Sequence, residues 1–117
     1  MKKFLAGFSN AMKGILTAVA GQMNLKVQLI IALLVVAAGF YFEITALEWC
    51  VLLLIIGVVL ALEMMNTAIE HLVDLVTTEW KPLAGKVKDI AAGSVLVAAC
   101  ASIVIGWLIF GKYFMER

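Results

Sequence analysis

Charge is scarce in this chain: 15% of its 117 residues are Asp, Glu, Lys or Arg, against 65% hydrophobic residues. Mean hydropathy is +1.11. A water-soluble domain of this length needs a far more polar surface, so that class is excluded and a small polytopic membrane protein is indicated. Proline occurs once, so the long apolar runs contain no helix breaker. The two cysteines, Cys50 and Cys100, sit inside apolar runs without CxxC or any other ligand spacing, and read as buried small hydrophobes. There is no GxxxxGK[ST] motif and no protein-kinase signature set, which excludes a P-loop enzyme and a protein kinase. The net charge of +1 gives no footing for nucleic acid. Ser9, Asn10 and Lys13 interrupt the first apolar residues, so no signal-peptide core with a cleavage site is expected.

What is present is four apolar stretches. Over residues 1–26, Phe4, Leu5, Phe8, Met12, Ile15, Leu16 and Val19 recur at intervals of three and four, with Lys2, Lys3 and Lys13 interleaved. This spacing predicts an amphipathic helix too polar to span, lying in the membrane interface; packing as ordinary core is the competing reading. Residues 27–42 form an uncharged run ending in Phe40, Tyr41 and Phe42, slightly short of the ~20 residues a span requires. Residues 46–75 form the third helix and 89–111 the fourth, the latter rich in Ala, Gly and Ser that permit close helix approach in lipid. Pro82 and Gly85 are read as part of a helix-breaking loop between them. The prediction is an all-α membrane protein of one domain, residues 1–117, with a surface helix and three transmembrane helices.

Lysines set the orientation. Lys2, Lys3, Lys13 and Lys26 flank the first two elements and Lys81, Lys86 and Lys88 follow the third, whereas the 43–48 connection carries Glu43 and Glu48 and no lysine. The positive-inside rule therefore assigns the N-terminus and the Lys81–Lys88 loop to the cytoplasm, with Lys112 and Arg117 dissenting mildly on the outer side.

The informative stretch is Glu63 to Asp74. Directly after the uncharged run Trp49–Leu62, the chain gathers three acids, an amide and its single histidine. On a helix turning ~100° per residue, Glu63, Asn66, Glu70 and Asp74 fall within roughly 80° of one another. Acids at a membrane boundary are costly unless they are paired or functional. With Lys88 on the same side of the membrane, the stripe suits a magnesium-bound polyphosphate: one or two carboxylates suffice for magnesium, and a lysine neutralises phosphate charge. Glu63 is nearest the hydrocarbon, where desolvation penalises a charged carboxylate most, which suits a base. The plainer reading is a solvated helix end with acids paired to lysines. His71 is read as a helix-surface residue, and Trp49, Trp80 and Trp107 as interfacial or packing aromatics.

Glu63-x-x-Asn66-Thr-Ala-Ile-Glu70-x-x-Val-Asp74, followed fourteen residues later by Lys88-Asp89-x-Ala-Ala, resembles the signature of the prokaryotic diacylglycerol kinase and undecaprenol kinase family, and the likeness extends over essentially the whole chain. The resemblance implies a homotrimeric inner-membrane enzyme that uses ATP and Mg2+ to phosphorylate a lipid alcohol at the cytoplasmic face. By the same resemblance Glu63 is the base that takes the hydroxyl proton, and Asn66 positions nucleotide and substrate. Glu70 holds the metal between ATP phosphates, Lys88 contacts the β- and γ-phosphates, and Asp89, Asp74 and Glu79 support the nucleotide. The Ile69–Leu75 stretch and Ala91-Ala92-Gly93-Ser94-Val95 look more like the undecaprenol kinase branch than the diacylglycerol kinase branch. One residue departs from the pattern. Gln22 stands where the family carries a second metal-binding glutamate, so it is at best a weak ligand. The readings this leaves are weakened but retained kinase chemistry, which is favoured because the other motif residues are present, a catalytically impaired binding variant, or drift to another role. A small proton-coupled transporter is the alternative from another class, although its acids would be expected near the membrane midplane.

Overall fold

The computed structural model describes residues 1–116, and in it the chain is helical with no strand among those residues. Four helices follow in order: α1 Lys2–Gly21, α2 Met23–Phe42, α3 Ala46–Val76 and α4 Pro82–Met115. The last three are long and apolar enough to cross a membrane. At ~1.5 Å per residue, α3 and α4 each exceed ~45 Å, more than the ~30 Å of bilayer hydrocarbon, so both extend beyond it.

The first joint lies earlier than the sequence suggests. Gln22 adopts an extended conformation that ends α1, and Lys26 belongs to α2. Ala18 and Leu25, on either side of the break, are the buried residues that seat the corner, Leu25 at 1% exposure. The rest of α1 stands clear of the other helices, with Phe4, Leu5, Phe8 and Leu16 all exposed. Its apolar face therefore does not serve as core.

The second joint is a tight turn. Glu43 takes a left-handed conformation at φ 52°, the place where glycine usually closes a helix. The Glu43 N–H donates to the Phe40 carbonyl at 3.3 Å and the Ile44 N–H to the Gly39 carbonyl at 3.2 Å, so the last carbonyls of α2 are satisfied. Thr45 then caps α3: its Oγ1 accepts from the Glu48 N–H at 3.2 Å, while the Glu48 carboxylate accepts from the Thr45 N–H at 3.0 Å. Gly39 is required by packing, since a Cβ there would lie 2.6 Å from Cη2 of Trp49.

The core sits at this end of the molecule. Ile44, Leu52, Ile109 and Phe110 are buried together, with Phe42 against Phe110, Tyr113 and Phe114. Lys112 donates to Glu48 at 2.8 Å and the Tyr113 hydroxyl donates to the same carboxylate at 2.7 Å. Glu48 lies in the first turn of α3, ahead of the uncharged run, and these donors, Lys112 first, lower its pKa from 4.5 to about 2. Lys112 is thus paired where it stands; Arg117 lies outside the described residues.

The third joint differs from expectation. Pro82 does not continue a loop to Asp89 but occupies the first turn of α4, where its missing N–H is harmless and its fixed φ suits the helix. Only residues 77–81 connect α3 to α4, so the two run antiparallel and in contact along their length. Cys50 and Cys100, expected to be buried, are exposed instead; a small thiol on an outward apolar face has no polar demand to satisfy. The molecule measures 54 × 43 × 20 Å, only about two helix diameters thick, and encloses little by itself.

Candidate active site

The polar face of α3 forms a ladder of three pairs stepping outward from the apolar interior. Glu63 is the deepest member, buried at 3% exposure. A carboxylate buried in apolar surroundings needs hydrogen-bond partners, and its partner comes from α2: Gln28 Nε2 donates to Glu63 Oε2 at 3.2 Å. Thr67 is also buried, and its hydroxyl donates back to the Glu63 carbonyl at 3.0 Å, as helical threonines do.

One turn further, Asn66 Nδ2 donates to Glu70 Oε1 at 3.3 Å. Glu70 itself is only half-buried. The third step is Asp74, whose Oδ1 accepts from Lys88 Nζ at 2.8 Å. Lys88 precedes the apolar run of α4, and the hydrogen bond it donates to Asp74 raises its pKa, with a smaller contribution from the charge of Glu70. Fourteen residues of sequence separate the two because α4 folds straight back on α3.

Two polar atoms in this region are buried with no hydrogen-bond partner: Asn66 Oδ1 and Gln28 Oε1. Ionised carboxylates only accept, so both amides must turn their NH2 groups to Glu63 and Glu70, and both carbonyl oxygens are left over. Buried acceptors without donors are uncommon and call for an explanation, of which an absent ligand is one.

Glu63, Asn66, Glu70, Asp74 and Lys88 are therefore brought into one continuous face. Glu79 lies on the 77–81 connection, where its N–H donates to Thr77 Oγ1 at 3.1 Å. It shares with Asp74, Thr78 and Lys81 a concavity of about 530 Å³ beside the end of α3. Asp89 is exposed on α4 and Gln22 sits at the joint of α1 and α2; among the described residues neither side chain is hydrogen-bonded to the ladder. No group of three His, Cys, Asp or Glu side chains is placed to hold a metal among the described residues. What this chain offers a cation is the unpaired oxygen of Glu70 and the orphaned Oδ1 of Asn66, a set that fits magnesium, which keeps most of its ligands as water and phosphate.

Gln28 is the residue that sequence reasoning misses. The signal is present, the single amide within the uncharged run 27–42, but without the fold nothing says which neighbour it meets.

Residues 9–110 match the prokaryotic diacylglycerol kinase family. The chain is 41% identical over 110 residues to the undecaprenol kinase of Bacillus subtilis, covering 94% of this chain and 89% of that one. It is 37% identical over 103 residues to a diacylglycerol kinase of Synechocystis, covering 87% of this chain and 59% of the longer relative. A diacylglycerol kinase of Haemophilus influenzae is 29% identical over 101 residues, 86% of each chain. With three helices fit to cross a membrane and a polar ladder at one end of them, the chain belongs to the prokaryotic diacylglycerol kinase family and is a multi-pass membrane lipid kinase.

Proposed function

We propose that the protein transfers the γ-phosphoryl group of ATP, with Mg2+, to the hydroxyl of a membrane lipid alcohol, and that undecaprenol is the favoured acceptor. The observation that carries this is the ladder itself: a buried carboxylate at the apolar end, an amide with a free acceptor next, and a carboxylate and lysine in the solvent. An apolar alcohol arrives from one end and a polyphosphate from the other.

In this reading Glu63 accepts the proton from the lipid hydroxyl as its oxygen attacks the γ-phosphorus. The new O–P bond forms as the bond to the β-phosphate oxygen breaks, and ADP leaves. Phosphoryl transfer depends on positioning and charge neutralisation more than on covalent help from the protein, so few groups are needed. Glu70, with Asn66 Oδ1, would hold magnesium, which supplies neutralisation of phosphate charge. Lys88 meets the β- and γ-phosphates. Its present pairing with Asp74 is exposed and cheap to open, so a polyphosphate can recapture it. Glu79 and Asp89 belong to the nucleotide region, and Gln22, lacking a charge, weakens metal binding without replacing it.

The full chain acts as one kinase domain in the bacterial inner membrane, with the ladder on the cytoplasmic side. Lys88 pairs with Asp74 of the ladder, Lys81 lies beside it and Lys26 starts the helix that carries Gln28, while the opposite end holds Lys112 already paired to Glu48. The exposed apolar face of α1, with its lysines, suits the membrane surface. A slab about 20 Å thick with extensive outward apolar surface suits assembly with further copies, as in the homotrimer the family resemblance implies. Diacylglycerol is the second reading for the acceptor, since two of the relatives above bear that name. Purified protein given ATP, magnesium and each lipid separately tests both: undecaprenyl phosphate supports the first, phosphatidic acid the second, and neither product refutes both.

A further inference from the structure

Gln28 has features that a merely structural amide does not need. It reaches from α2 across 35 residues of sequence to the deepest carboxylate of the site. It does so at the cost of its own Oε1, which stays buried without a donor. It also borders an apolar cleft of about 380 Å³ between α2, α3 and α4, lined further by Val35, Leu52, Ile56 and Phe110. A leucine at this position would suit the apolar lining and carry no orphaned oxygen of its own. What it could not do is hold Glu63.

The geometry of that hold is specific. A carboxylate on a glutamate turns easily about its last torsion, because such sp³–sp² rotations have broad minima. Gln28 engages Oε2 and restrains the rotation, and among the described residues nothing donates to Glu63 Oε1. The Thr67 hydroxyl is spent on the Glu63 carbonyl, and the Asn66 NH2 on Glu70, so neither competes for the free oxygen. The orientation of Gln28 is fixed by chemistry as well: only its NH2 can face an ionised carboxylate.

We propose that Gln28 is a positioning residue for phosphoryl transfer, one that holds Oε2 of Glu63 so that Oε1 meets the proton of the lipid hydroxyl. The inference rests on the reading of Glu63 as the base. Gln28 touches neither lipid nor nucleotide in this role; it acts through Glu63.

Gln28→Met is the test, because methionine matches the length of glutamine, suits the apolar cleft and lacks the donor. The expected result is a kcat about tenfold lower, since general-base help depends on orientation and is worth about 100-fold or more in full. The KM values for ATP and lipid and the thermal midpoint in detergent stay at wild-type values. The acid limb of the pH–rate profile moves about one pH unit upward, because a donor to the ionised form has been removed. A wild-type kcat with an unmoved acid limb overturns the proposal, and so does a lower kcat accompanied by a lower midpoint and an unmoved limb, which marks a packing role. Glu63→Gln run alongside separates the two ideas. If it turns over at the wild-type rate, Glu63 is not the base; if it is inactive while Gln28→Met behaves as wild type, the Gln28 proposal fails alone.

Discussion

Replacing Glu63 by glutamine removes one charge and almost no volume, which makes its consequences separable. In the fold the side chain is 3% exposed and, among the described residues, its one side-chain hydrogen bond comes from Gln28, at 3.2 Å. The amide oxygen of the variant can accept the same bond, and its new NH2 is the one donor added to the buried site, so the stability change should be at most about 1–3 kcal/mol. The nucleotide end of the site should be undisturbed, because seven residues of helix put Glu70 about 10 Å away along the axis. Turnover is the quantity that should collapse. Loss of a general base costs about 10²–10⁴ in rate, an increase of roughly 3–5 kcal/mol in the barrier. The assay is radiometric or coupled ADP release with a saturating lipid alcohol, with nucleotide affinity measured separately by titration. A variant with kcat within about threefold of wild type would refute the assignment, since an interaction made only in the transition state must appear in kcat.

Other outcomes follow from the same ladder. Glu70→Gln should raise the magnesium concentration needed for half-maximal activity and leave the lipid KM unchanged; an unaltered magnesium titration would remove Glu70 from the metal site. Lys88→Ala should raise the KM for ATP about tenfold or more while shifting the thermal midpoint little, because the pair it makes with Asp74 is exposed and such pairs contribute at most about 1 kcal/mol. At the end opposite the ladder, the Glu48 pKa is depressed from 4.5 to about 2, so its stabilising contribution is complete above 4.5 and is lost as the pH falls toward 2. Glu48→Gln should therefore unfold earlier than wild type at neutral pH, with the gap closing through that acidic window in thermal melts.

How much of this the sequence carries depends on the range of the interaction. The spans were legible because uncharged runs such as Trp49–Leu62 have one physical explanation in a chain this apolar. The acidic face of α3 was legible because helical periodicity alone places Glu63, Asn66, Glu70 and Asp74 together. Pro82 was misread because proline breaks a helix interior yet begins a helix well, and the sequence does not distinguish the two until the preceding turn is known. Cys50 and Cys100 were expected to be buried from their apolar neighbours, but in a membrane chain apolar neighbours are as often outward-facing. Contacts between helices were out of reach. The Gln28 amide on Glu63, the Lys88–Asp74 pair and the Lys112–Tyr113–Glu48 cluster each join residues whose spacing follows no helical period.

The central claim is that the ladder phosphorylates a lipid alcohol despite the glutamine at position 22. The most direct measurement is the initial rate of phosphorylated-lipid formation by the purified full chain, with ATP, across a series of magnesium concentrations, for undecaprenol and diacylglycerol in parallel. The account predicts product with at least one alcohol, faster with undecaprenol, at a magnesium requirement that Gln22→Glu lowers. Folded protein that forms no lipid phosphate from either alcohol at any magnesium concentration, and forms none after Gln22→Glu, would contradict it.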